Sequence, residues 1–121
     1  TFSGASIQRN DGLDPMFRAS SMNGVVQYYG AGVDPRDPRL SPLFGDLAGL
    51  TPALVMVGSS ELLLDDSVRF AARVPESELR IWHDMPHVFP AMRGLAAGDA
   101  AIREIGEFIR ERTAAATAGA G

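Results

Sequence analysis

Apolar residues in this chain follow three patterns. "PALVMVGS" (52–59) is a continuous apolar run between Pro52 and Gly58, which predicts a short strand buried on both faces. In "SELRIWHD" (77–84), Leu79 and Ile81 alternate with Arg80 and Trp82, the period of a second strand. The third pattern is helical and occurs three times. Between the strands, Phe70, Ala71 and Val74 line one face of a helix from about Asp65 to Val74. Asp65 and Asp66 favour its positive end, and Pro75 stops it. In "LDPMFRASSMNGVVQYYG" (13–30), the positions Ala19, Met22, Val25, Val26 and Tyr29 predict a helix. Asp14 is placed to cap it, Pro15 suits its first turn, and Gly30 ends it. Gly24 costs that helix about 1 kcal/mol. The third helix starts near Asp99. Ala101, Ile102, Ile105, Phe108 and Ile109 form its stripe, while Arg103, Glu104, Glu107, Arg110 and Glu111 face water.

The remaining segments read as connections. Residues 1–13 are polar, glycine-containing loop, and "AGVDPRDPRLSP" (31–42) carries three of the eight prolines, too many for a helix or a central strand. "FGDLAGL" (44–50) predicts a turn of helix, and the small residues of 114–121 read as a tail. The resulting order is helix, strand, helix, strand, loop, helix. That is an α/β chain whose strand–helix–strand unit makes a right-handed parallel crossover. Two parallel strands are a poor sheet by themselves, and the more apolar first strand calls for a neighbour on its other side. Residues 1–113 are therefore expected to be the C-terminal part of a larger, mostly parallel sheet. The sequence opens on Thr1, and a preceding polypeptide is expected with it.

Composition narrows the function more than the fold. With a net charge of −4 and no basic run, nucleic acid and anionic membrane are poor partners. No apolar stretch approaches the ~20 residues of a membrane span. There is no cysteine, so disulfides and thiolate metal sites are excluded. A cytoplasmic setting is compatible with that.

Open α/β sheets carry their sites where the strands end. Here the first strand ends in "GSSELLLDD" and the second in "HDMPHVF". Parallel pairing brings Glu61 and His87 from adjacent loops to one edge. A carboxylate beside an imidazole is the orienting half of a nucleophilic triad: the acid fixes the ring's tautomer, and the ring moves the proton. His83 and His87 are four apart, a metal-binding spacing on a helix. Pro86 and the strand pattern remove that helix, so no metal site and no cofactor is expected.

The stretches "SPLFGDLAGLTPALVMVGSSELLLDD" and "MPHVF", with "SGASIQRNDGLDPMF" upstream, together resemble the C-terminal portion of hormone-sensitive-lipase-like esterases of the α/β-hydrolase fold. The resemblance covers residues 3 to 112. It implies a serine carboxylesterase or lipase-like hydrolase acting on small acyl esters, with a triad in the chain order Ser, acid, His. By position, the histidine is His87. The acid falls on Glu61, in "ELLLD" where many relatives have Asp-Pro-Leu-x-Asp, and Asp65 is the alternative acid or a supporting group. The family's Gly-x-Ser-x-Gly elbow and His-Gly-Gly oxyanion loop are absent from this sequence, and "GSSE" (58–61) lacks the elbow's second glycine. Two thirds of a triad without a nucleophile implies a chain that is inactive alone and needs the N-terminal part of the same hydrolase. A non-catalytic binding or dimerisation module is the competing reading, since strand 78–83 would offer an edge for a homodimer.

Overall fold

A computed structural model describes residues 3–30 and 32–118. The chain divides into two compact units, 1–87 and 88–121.

The first unit holds the sheet. Strand β1 (Leu54–Gly58) pairs in parallel with β2 (Glu78–Trp82), in a register running from Leu54↔Glu78 to Gly58↔Trp82. Helix α3 (Leu64–Ala71) makes the crossover, as the alternation of patterns predicts. Its start is acidic and Arg69 lies in its last turn, where it pairs with Asp66. Both placements favour the helix dipole. The helix ends at Ala71, so Val74 lies beyond it and is buried. Of β1, only Val57 and Gly58 are buried; Leu54, Val55 and Met56 are half-buried. These three line an open, mostly apolar depression of about 530 Å³ with Pro42, Leu43 and Phe70. Among the described residues, β1 has a neighbour on one side only.

Upstream, the structure differs from the sequence reading. Residues 1–13 are not all loop: Ser6–Arg9 forms one helical turn, α1. Helix α2 spans Ala19–Gly30 and begins about one turn later than Asp14-Pro15 predicts. Asp14 is buried and accepts the Met16 N–H (2.9 Å) in a local turn, while Asp11 reaches the N–H of Ala19 (3.0 Å) at the start of α2. The expected stripe is also narrower. Met22 is buried with Ile7 and Leu62, and Phe17 and Ala19 pack against them, but Val25 and Tyr29 are exposed. The Val26 side chain lies outside the described residues. In place of the α-helical turn predicted over 44–50, a 3-10 turn covers Pro42–Phe44. Arg73 holds it by donating to the Leu43 and Gly45 carbonyls.

The second unit contains a 3-10 turn, Phe89–Ala91, and helix α4, Ala96–Ala118. The helix starts three residues before Asp99 and continues past residue 113. Gly98 lets it pass the 3-10 turn, since a Cβ there would lie 2.8 Å from the Phe89 carbonyl oxygen. Of its predicted stripe, Ala101 is fully buried and Ile105 and Phe108 partly so, whereas Ile102 and Ile109 are exposed.

Candidate active site

The site begins with a close approach of backbone. A Cβ on Gly58 would lie 1.8 Å from the Met85 carbonyl oxygen, so only glycine permits the loop after β2 to cross the end of β1. The two loops are laced together there. Ser59 N–H donates to the Trp82 carbonyl (2.8 Å), Ser60 N–H to the Met85 carbonyl (3.3 Å), and Asp84 N–H to the Ser59 hydroxyl (2.9 Å). Asp84 takes a left-handed φ of 56°, which aspartate tolerates better than most residues.

This lacing sets Glu61 opposite His87. Glu61 is 5% exposed, and its side chain folds back over its own turn. Oε1 accepts the Gly58 N–H at 2.7 Å, and Oε2 lies 2.8 Å from His87 Nδ1. One oxygen is thus fixed to the strand end while the other holds the ring. A carboxylate only accepts, so in this pair Nδ1 is the donor, and a neutral ring keeps its lone pair on Nε2. The His87 side chain is 26% exposed, enough to leave the ring reachable. The Phe17 ring packs against it at a centroid distance of 4.9 Å, tilted by 57°.

Asp65, the alternative acid, turns to α1 instead. Its Oδ2 accepts the Ser6 N–H (2.9 Å) and its Oδ1 an Arg9 N–H (3.0 Å), while its own N–H donates to the Ser6 hydroxyl (3.1 Å). Burial pushes this carboxyl up, but hydrogen bonds from Ser6, Arg9 and Ala5 and the Arg9 charge outweigh it and hold the group below the ordinary carboxylate range. His83 pairs with the neighbouring Asp84 (3.0 Å) on an exposed surface. Among the described residues, no group of three or more acidic or histidine side chains could hold a metal.

One residue at the site has no counterpart in the sequence reading. Asn10 is 3% exposed, and its carboxamide donates to the Ser59 carbonyl (2.9 Å) and the Glu61 carbonyl (2.7 Å). In sequence, "NDG" reads as a turn, and no local signal marks a partner about fifty residues away.

The sequence pattern of the alpha/beta hydrolase fold matches residues 2–91, and the chain belongs to that family. It is 39% identical over 82 residues to an esterase of Acinetobacter venetianus, a match covering 67% of this chain and 27% of that protein. An acetyl-hydrolase of Streptomyces hygroscopicus is 33% identical over 115 residues, covering 91% of this chain and 38% of that one. Among solved structures, an esterase from the bacterial hormone-sensitive lipase family superposes with a TM-score of 0.85 at 37% identity, covering 91% of this chain and 39% of that chain. An esterase/lipase from an uncultured bacterium gives 0.84 at 39% identity, covering 93% and 39%. The chain therefore spans 27% and 38% of the lengths of the two curated relatives.

Proposed function

We propose that this chain supplies the acid and the histidine of a Ser-acid-His triad in a carboxylic ester hydrolase, with Glu61 as the acid and His87 as the proton carrier. The observation that carries this reading is the 2.8 Å contact between Glu61 Oε2 and His87 Nδ1, with Oε1 tied to Gly58 N–H. In this role Nε2 takes the proton of an attacking serine hydroxyl and returns it to the leaving alcohol. Glu61 keeps the ring in the required tautomer and stabilises the imidazolium that forms. The serine and the oxyanion donors come from polypeptide upstream of this segment, which adds to the open side of β1. A small acyl ester is the substrate class. Asp65 fastens α3 to α1 and takes no part in proton transfer.

The test is hydrolysis of p-nitrophenyl acetate by this chain joined to its upstream polypeptide. The joined protein is expected to be active and the 121-residue chain alone inactive, and His87→Ala is expected to abolish the activity. Full activity of the His87→Ala enzyme contradicts the proposal. A homodimer through β2 is compatible with the same chemistry, because among the described residues β2 pairs only with β1, and Ile81 is 52% exposed beside it. Sedimentation of the joined protein over a range of concentrations tests that, with Ile81→Lys expected to shift it to monomer.

A further inference from the structure

We infer that Asn10 is a positioning residue for the triad acid: its carboxamide, clamped to the carbonyls on either side of Ser60, aims Glu61 at His87. The inference rests on the triad reading above and names a residue that acts through Glu61 without touching the reacting atoms.

Glu61 sits in a turn that leaves the sheet at Gly58 and enters α3 at Leu64. Within that turn Glu61 N–H bonds to the Gly58 carbonyl at 3.2 Å. The carbonyls of Ser59 and Glu61 lie outside the sheet ladder, and the Glu61 carbonyl accepts only a long backbone bond from Leu64 N–H (3.4 Å). Both converge on Nδ2 of Asn10, at 2.9 and 2.7 Å. A carboxamide nitrogen carries two N–H groups, so a single side chain satisfies both carbonyls, and two oxygen partners fix which end of the amide faces them. The Asn10 side chain is itself aimed by its backbone. Its N–H closes α1 on the Ser6 carbonyl (2.9 Å), and its carbonyl accepts from Leu13 (2.9 Å) and Asp14 (3.4 Å). The base of α1 is pinned to α3 by Ser6, whose hydroxyl donates to the Leu62 carbonyl (2.7 Å).

Asn10 and Ser6 thus tie the same two segments together, but at different points. Ser6 grips the residues after the acid, and Asn10 grips the acid's own peptide. Loss of the Asn10 clamp removes the donor that Asn10 gives to the Ser59 carbonyl and leaves the Glu61 carbonyl only the longer bond from Leu64 N–H (3.4 Å), which lets the peptide of Glu61 rotate. Oε2 then moves off Nδ1 while substrate contacts elsewhere are untouched, so the loss falls on turnover.

The experiment compares Asn10→Leu, Asn10→Asp, Ser6→Ala and His87→Ala in the chain joined to its upstream polypeptide, with p-nitrophenyl acetate as substrate and rates normalised to the folded fraction. Leucine is close in volume and donates nothing; aspartate has the same shape and presents oxygens to the two carbonyls. Both Asn10 variants should lower kcat about tenfold to a hundredfold, the range of a slightly misplaced catalytic group, with KM held within about twofold. Ser6→Ala should lower the melting temperature yet keep kcat within about twofold. Folded Asn10 variants with unchanged kcat overturn the inference, as does Ser6→Ala losing kcat to the same extent. Failure of both Asn10 variants to fold also overturns it, since Asn10 then serves global stability. An active His87→Ala enzyme instead removes the triad reading on which the inference stands.

Discussion

Glu61 and Asp65 are acids four residues apart, both turned inward, and they belong to two different neighbourhoods. Glu61 lies in the turn between β1 and α3, where its oxygens meet a strand-end N–H and an imidazole. Asp65 lies in the first turn of α3, where its oxygens meet the Ser6 N–H and the Arg9 guanidinium. One of Glu61's partners is an imidazole, a group able both to accept and to donate a proton, whereas those of Asp65 are fixed donors. The contrast separates an acid suited to proton chemistry from one suited to holding segments together, although the sequence offers both within "ELLLD".

Four variants break or sharpen that contrast, each measured in the chain joined to its upstream polypeptide. His87→Ala should have the largest effect, a loss of kcat of about a thousandfold or more, because the proposed proton carrier itself is gone. Glu61→Gln follows, with a loss of about a hundredfold to ten-thousandfold: a glutamine that donates to Nδ1 stabilises the wrong tautomer while keeping the shape. Leu62→Ala, beside the acid, acts on stability. Leu62 is 1% exposed in the cluster with Ile7 and Met22, and its truncation should cost about 2–5 kcal/mol in denaturant unfolding.

Asp65→Asn has the smallest effect at neutral pH, a loss of about 1 kcal/mol with kcat unchanged. Its signature is in acid. The Asp65 carboxyl is held below its usual 3.8 in the folded chain, so the unfolded state takes up its proton first as pH falls. The stability that Asp65 contributes is therefore full above about pH 4 and is lost below it, as pH drops through the folded-state value. Acid unfolding of the Asp65→Asn variant should lack that component. An unchanged acid-unfolding curve, or a collapse of kcat at neutral pH, would assign the two acids the other way round.

Local pattern made the crossover legible. A continuous apolar run, an acidic helix start and an alternating strand each depend on neighbours in sequence, and they appear as β1, α3 and β2. The pairing of Glu61 with His87 was also readable, because parallel strands place their C-terminal ends together. Other features depend on contacts between distant residues and were not readable. Asp14-Pro15 carries a strong helix-start signal, yet burial of Asp14 in a turn leaves Asp11 to meet the first N–H of α2. The four residues of α1 are too few to show a period. Asn10 looks like any turn asparagine until the chain folds its carboxamide against Ser59 and Glu61. The different surroundings of Glu61 and Asp65 have the same origin, since Ser6 and Arg9 reach Asp65 from more than fifty residues away.

The central claim, that Glu61 acts only through His87, is tested most directly by a double-mutant cycle on kcat with Glu61→Ala, His87→Ala and the double variant. Groups that act as one unit give a double variant no slower than His87→Ala alone. Losses that instead multiply, so that Glu61→Ala slows the enzyme equally with and without His87, would contradict the account.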